Sequence, residues 1–496
     1  MLPRHLFHSL FAVAAVVAVT CHAAPSAPIS VTHGVAAGDV TGSSAVIWSR
    51  ADREAFLNVL LTGPGGGLQR SAAPVAAAGD YTGKLVFKGL RPGTPYRYRV
   101  WFSADPASGP PATGGAEGSF RTAPAATQPT PVTFAWGGDL AGQNACRDAG
   151  QGFPVFRTIH ALAPDFFLGL GDMIYADGVC NALGRFGNLQ VPGNFPQSST
   201  PEDFWAHWKY NREDAAYREL MAATPYYAIW DDHEVVNDFG PLHDTRSNPP
   251  YTPGQPLLPM GLQAFLAYNP VLERNLTPDR LYRSIRWGEH LELVILDNRQ
   301  YRDANLVADA PELPKTMLGR EQLAWLKQTL AESDATWKII VTSVPLAIPT
   351  GFPAAAGRDG WANFDQHTGF EAELLDLLTH LRDRNIHDVL FITTDVHFAS
   401  VQRYTPFADT PDFQIHEYVT GPLNAGLFPS TALDTTLNPE RLFFHGPASA
   451  EAVTSFAEAQ RWFNFGQVAI DDNGVLTSRI LDADGRLLFE KVHVPD

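Results

Sequence analysis

The sequence predicts an α/β fold preceded by an all-β N-terminal region. Short β-prone runs fill residues 30–123, and apolar runs separated by helical patterns follow from residue 132. With 45% apolar and 11% aromatic residues, the chain can bury a large core, which excludes general disorder. Its 496 residues fit a small number of domains. Against 36 basic residues stand 53 acidic ones, a net charge of −17. That balance argues against a general nucleic-acid or anionic-membrane binder, which needs surplus Lys and Arg. An anionic ligand would require locally concentrated positive charge, and bound metal is the simplest source.

Residues 1–23 read as a secretory signal: Arg4, an apolar run over residues 10–19, and Cys21-His22-Ala23 near a small-x-small cleavage site. An uncleaved anchor and a lipoprotein at Cys21 are the alternatives. The mature chain is expected to lack a membrane span and to be secreted, in the periplasm. Two cysteines then remain, Cys146 and Cys180, expected to pair in an oxidising compartment, with thiolate metal ligation as the alternative.

In the first domain, residues 30–123, Ala45-Val46-Ile47-Trp48 and Asn58-Val59-Leu60-Leu61 are strand-like, and Gly63-Pro64-Gly65-Gly66-Gly67 is a turn. Tyr96-Arg97-Tyr98-Arg99-Val100-Trp101 alternates with period two. Leu90-Arg91-Pro92-Gly93-Thr94-Pro95-Tyr96 resembles the tyrosine corner of immunoglobulin-like and fibronectin-like β-sandwiches. Residues 106–118, rich in Pro, Gly and Ala, are expected as a loose hairpin tip or a disordered loop, and residues 122–131 as a linker.

The second domain, residues 132–496, repeats an apolar run followed by a polar cluster. Runs at 132–136, 166–170 and 226–230 precede Asp139, Gly171-Asp172 and Asp231-Asp232-His233-Glu234. Those at 291–296, 339–341 and 389–392 precede Asp297-Asn298-Arg299, Thr342-Ser343 and Asp395-Val396-His397. Between them, Ser199-Thr200-Pro201-Glu202-Asp203 starts a helix, and residues 321–331 place Leu323, Leu326 and Leu330 on one helical face. Residues 463–494 return to β pattern with a turn at Asp484-Gly485. In such layers, ligands gather where strands finish.

Convergence of Asp139, Asp172, Asp232, Asp395 and His397 would demand cations, because crowded carboxylates repel. Hard oxygen donors with one imidazole and the Tyr175 phenol favour Fe(III), Ca²⁺, Mg²⁺ or Mn²⁺ over soft-metal chemistry. A shared carboxylate such as Asp172 can hold two ions about 3.5–4 Å apart for phosphoryl displacement. Asn237 and Arg157 are candidates for touching substrate, Arg157 with a solvated helix face as its alternative. Asp297 and Arg299 read as a buried structural ion pair, and Ala354-Ala355-Ala356 as a loop or active-site lid.

These residues resemble the alkaline phosphatase D (PhoD) family of calcineurin-like metallophosphoesterases. The resemblance is carried by Gly34-Val35-Ala36-Ala37-Gly38-Asp39-Val40, Gly171-Asp172-Met173-Ile174-Tyr175-Ala176-Asp177, Trp230-Asp231-Asp232-His233-Glu234-Val235, Leu296-Asp297-Asn298-Arg299-Gln300-Tyr301-Arg302 and Asp395-Val396-His397. It implies an immunoglobulin/fibronectin-like β-sandwich followed by a metallophosphoesterase β-sheet sandwich flanked by helices. Asp139, Asp172 and Tyr175 would hold Fe(III); Asp172, Asp232, Asp395 and His397 would hold the second ion, Ca²⁺, with Mn²⁺, Mg²⁺ or Zn²⁺ as substitutes. His233, with Asp172 and Asp232, would be catalytic, and a metal-activated hydroxide the nucleophile. Phosphate-ester hydrolysis by a monomer is the implied function; a phosphodiesterase acting on phospholipid head groups is the rival. A non-catalytic binding protein with this fold would need broken ligand blocks, and none is broken.

Overall fold

The computed structural model describes residues 28–111, 114–240, 256–272, 279–304, 309, 314–350, 359–363 and 369–496. The expected signal segment and the Ala354–Ala356 loop lie outside the described residues. Strands form three sheets. The largest runs, in spatial order, Leu487–His493, Leu476–Asp482, Asn464–Ile470, Val132–Gly137, Phe166–Gly169, Tyr226–Ala228, Val31–Gly38, Ser44–Ala51 and Thr82–Lys88. The second runs Arg283–Trp287, Leu291–Ile295, Trp337–Val341, Val389–Thr393, Ile415–Val419, Ala399–Tyr404 and Pro439–His445. Leu68–Val75, Ala55–Thr62, Pro95–Ser103 and Ala116–Arg121 make the third.

Both large sheets are parallel at their centres. Val132–Gly137, Phe166–Gly169 and Tyr226–Ala228 pair in parallel, as do Leu291–Ile295, Trp337–Val341, Val389–Thr393 and Ile415–Val419. Parallel strands covered on both faces read as unbroken apolar runs, because alternate side chains enter different cores. Leu291, Leu293 and Ile295 join Phe134, Trp136, Phe166 and Leu168 in the core between the sheets. The intervening Val294 and Leu296 join Leu326, Leu330, Leu374 and Leu378 of the covering helices Gly319–Glu332 and Glu371–Asp383.

The polar start at residues 199–203 folds as the sequence predicts. Thr200 caps the helix Pro201–Arg212, and the Asp203 carboxylate in turn accepts from the Thr200 amide. Phe204, Trp205, Trp208 and Tyr210 on that helix are buried.

The composition change near residue 123 does not separate the sheets. Gly38 pairs in parallel with Tyr226, so three strands from the first hundred residues extend the largest sheet. Arg283 ties the same region together, donating to Asp39 at 2.8 Å and to the Ala228 carbonyl at 2.9 Å. Cys146 and Cys180 form a disulfide with Cα atoms 5.8 Å apart. Among the described residues, no helix is long and apolar enough to cross a membrane.

Candidate metal centre at the carboxyl ends of the strands

Each acidic cluster begins within a few residues of a parallel strand's carboxyl end. Asp139 follows Val132–Gly137, Asp172 follows Phe166–Gly169, Asp231 and Asp232 follow Tyr226–Ala228, and Asp395 and His397 follow Val389–Thr393. The turns there are tight: Asp139, Asp172, Asp395 and His397 have φ of +61°, +53°, +83° and +59°. Left-handed backbone at four non-glycine positions is costly and persists only where surroundings over-determine it. Gly171 and Gly421 make room for this crowding. A Cβ at Gly171 would lie 2.5 Å from the Asp231 Cβ, and one at Gly421 would lie 2.3 Å from the Asp139 carboxylate.

Two donor groups result, Asp139 with Asp172 and His397, and Asp231 with Asp232 and Asp395. A third, Asp172 with Asp232 and His233, and a fourth, Asp232 with Asp238 and Asp359, adjoin them among the described residues, and within each group one ligand atom per residue lies within 4.8 Å of the others. Tyr175 Oη is 2.8 Å from His397 Nε2, which is itself 3.5 Å from Asp139 Oδ1. His397 Nδ1 donates to the Gly426 carbonyl at 2.6 Å, so Nε2 presents a lone pair to the cluster. Burial lowers the His397 pKa to about 3, keeping the ring neutral.

The carboxylates are short of partners. Asp139 Oδ1, Asp231 Oδ2 and Asp395 Oδ2 are buried without a hydrogen bond. Burial, reinforced by neighbouring carboxylates, raises the pKa of Asp139, Asp172 and Asp395. A cation resolves both problems at once, and hard oxygen donors with one imidazole fit Fe(III), Ca²⁺, Mg²⁺ or Mn²⁺.

These groups border a cavity of about 350 Å³ lined by Asp172, Asp232, His233, Asn237, Asp395 and His397. Ile348, Val396, Phe398 and Phe428 give it an apolar wall. His233 Nδ1 lies 2.7 Å from Asp177 Oδ1, and Asp177 Oδ2 accepts from the Asn237 amide at 3.0 Å. Burial opposes charge on His233, but Asp177 and Asp232 outweigh it and raise the pKa to about 10. The Asp177 contact therefore favours a protonated ring at the cavity wall.

Comparison with known proteins matches this arrangement to a family. Residues 134–475 match the PhoD-like phosphatase family and residues 16–124 its N-terminal domain. The chain belongs to the PhoD-like phosphatase family. It is 27% identical over 411 residues to alkaline phosphatase D of Bacillus subtilis (strain 168), covering 74% of this chain. The match spans only 64% of that relative's length. A solved structure of PhoD shares the fold with a TM-score of 0.71 and 20% identity, covering 96% of this chain and 90% of its own.

Of the site residues expected in this PhoD-like chain, Asp139, Asp172, Tyr175, Asp232, His233, Asn237, Asp395 and His397 are brought together. Asn237 lines the cavity with its side-chain Nδ2 unpartnered, its backbone amide being held by Asp177. Arg157 is not brought there. It sits on the exposed face of helix Val155–Ala161, donates to the Gln151 carbonyl at 2.9 Å, and borders a separate cavity beside Asp148 and Glu213. The Asp297–Arg299 ion pair is also absent. Asp297 Oδ1 instead accepts from the Arg299 backbone amide and Trp230 Nε1, both at 3.0 Å. The Arg299 guanidinium reaches Asp231 at 2.5 Å and Asp359 at 2.8 Å.

Sequence reasoning left Glu234, Asp177 and Thr394 without roles. The Glu234 carboxylate accepts from the amides of Asp172, Met173 and Asp231 at 2.8–3.0 Å, locking two ligand loops together. Thr394 donates to Asp139 Oδ2 at 2.5 Å. Their placement inside the quoted motifs was the available signal; their partners, up to 255 residues distant, were not.

Proposed function

We propose that this chain is a metal-dependent phosphoesterase of the alkaline phosphatase D type. One observation carries the reading: carboxylates from four strand ends share a desolvated pocket in which several oxygens lack partners. Asp139, Asp172 and Tyr175 would hold one ion, proposed as Fe(III), joined by His397, which was expected at the second ion but groups with Asp139 and Asp172. Asp172, Asp232 and Asp395 would hold the other, proposed as Ca²⁺, with Mn²⁺, Mg²⁺ or Zn²⁺ as substitutes. Such ions, when bound, polarise phosphoryl oxygens and lower the pKa of coordinated water. Protonated His233 faces the scissile phosphate and delivers its proton to the leaving oxygen, while Asp177 holds the ring in place through Nδ1. The Asn237 side-chain Nδ2, unpartnered in the wall, donates to a phosphoryl oxygen.

The cavity favours a second reading, hydrolysis of phosphodiesters such as phospholipid head groups. Its described lining has an apolar wall and no Lys or Arg, which suits a singly charged ester with an apolar substituent. Parallel assays of the metal-loaded protein on a monoester and on diesters test both readings; failure to turn over any phosphate ester would overturn them together.

Residues 1–23 would direct secretion to the periplasm, consistent with the disulfide. Residues 30–123 would be an immunoglobulin/fibronectin-like β-sandwich before a catalytic domain at 132–496. The Tyr96 hydroxyl accepting from the Arg91 amide at 2.9 Å supports this. The active form would be a monomer.

A further inference from the structure

The cavity carries one aromatic side chain that the fold leaves uncovered. Phe428 lines it and is 37% exposed. Among the described residues, Phe428 alone of all Phe and Trp side chains is exposed. It forgoes the large apolar burial that the others obtain in whole or in part. Its backbone is nevertheless pinned. The preceding residue, Leu427, is fully buried in the large core. One residue earlier, the Gly426 amide donates to Gln143 Oε1 at 3.1 Å, and the Gly426 carbonyl accepts from His397 Nδ1 at 2.6 Å. The open phenyl is therefore held at the cavity by the residues before it.

The ring stands directly against the candidate metal centre. Its centroid lies 4.7 Å from that of His397, with the planes tilted by 41°. His397 Nε2 is in turn 2.8 Å from Tyr175 Oη and 3.5 Å from Asp139 Oδ1. Ile348, Val396 and Phe398 line the same cavity and form, with Val419, a small apolar cluster of their own. Phe444 packs on Phe398 with ring centroids 5.3 Å apart, which backs this wall. A phosphate held beside His397 leaves its organic group in about 350 Å³ of space that offers apolar surface, an open phenyl and no Lys or Arg in its described lining. A flat aromatic group gains more there than a saturated group of similar size, because ring pairs add an attraction beyond area burial.

We propose that Phe428 is a specificity-determining residue that packs on an aromatic ring carried by the phosphate ester. The inference rests on the phosphoesterase reading above and deepens it by naming the substrate class, esters whose organic group is an aromatic ring.

The test measures kcat/KM of metal-loaded protein on methyl, cyclohexylmethyl and benzyl phosphates, each offered as the monoester and as the mixed diester with methanol. Wild type is expected to favour benzyl over cyclohexylmethyl by about threefold or more, and over methyl by about tenfold or more. Phe428→Leu keeps apolar bulk against His397 and should bring the benzyl-to-cyclohexylmethyl ratio close to one, whereas Phe428→Trp should preserve it. Phe428→Ala should lower the benzyl-to-methyl ratio about tenfold. Metal content per chain, followed in each variant by elemental analysis, should stay at the wild-type value. Wild type that does not distinguish benzyl from cyclohexylmethyl, or variants that lower all three esters equally, would overturn the inference. Loss of metal in both Phe428→Ala and Phe428→Leu would also overturn it, since Phe428 would then serve only to pack His397. Wild type inactive on every ester would instead overturn the phosphoesterase reading beneath it.

Discussion

Asp177 grips His233 through Nδ1 and, through its second oxygen, the amide of Asn237, so a single carboxylate positions two cavity residues. Burial would raise the Asp177 pKa, yet the His233 charge and these hydrogen bonds hold it below the usual range. His233 is correspondingly raised to about 10 and stays protonated through neutral pH. His233→Ala should keep its metal while turnover falls by about 10²–10⁴. Asp177→Asn should lower the His233 pKa and draw the alkaline limb of the pH–rate profile to lower pH, with metal content unchanged. A profile that does not move would remove Asp177 from this role. The sequence exposed the carboxylates proposed as ligands because each follows an apolar run closely. It hid the partner choices around Arg299: Asp297 turns its carboxylate onto the amides of Arg299 and Gln300, which frees the guanidinium for Asp231 and Asp359.

Strand Ile415–Val419 shows what a central element costs when it buries charge. Glu417 on this strand accepts from Tyr404 Oη on the neighbouring strand Ala399–Tyr404, and from the Leu346 amide at 2.8 Å. Burial raises its pKa from 4.5 to about 7 despite both hydrogen bonds. The folded state therefore binds this proton more tightly than the unfolded chain. Its stabilisation is complete below about pH 4.5 and is lost as pH rises through about 7, by roughly 3 kcal/mol for a shift of this size. Glu417→Gln should flatten that part of the stability–pH curve in denaturant unfolding; an unchanged slope would show that Glu417 is ionised in the fold. Most strands and the capped helix Pro201–Arg212 were legible because local patterns specify them. Glu417 was not, since its neighbours come from elsewhere in the chain.

Across the whole molecule, the two large sheets bring strand ends from residues 137 to 393 to one cavity, and a common core between the sheets holds them in register. The α/β alternation and the acidic strand ends could be read from the sequence. The joining of the first hundred residues to the largest sheet could not, because the pairing of Gly38 with Tyr226 and of Asp39 with Arg283 unites residues far apart in the chain. The central claim is that the gathered carboxylates hold metal, and Asp172, common to two of the donor groups, is the residue on which both proposed ions would depend. The most direct measurement is metal content per chain by elemental analysis, on wild type and Asp172→Asn, with phosphoesterase activity followed in parallel. The account predicts near-stoichiometric metal in wild type, and joint loss of metal and activity in a variant that remains folded. Wild type that is active after complete metal removal, or Asp172→Asn that keeps both metal and turnover, would contradict it.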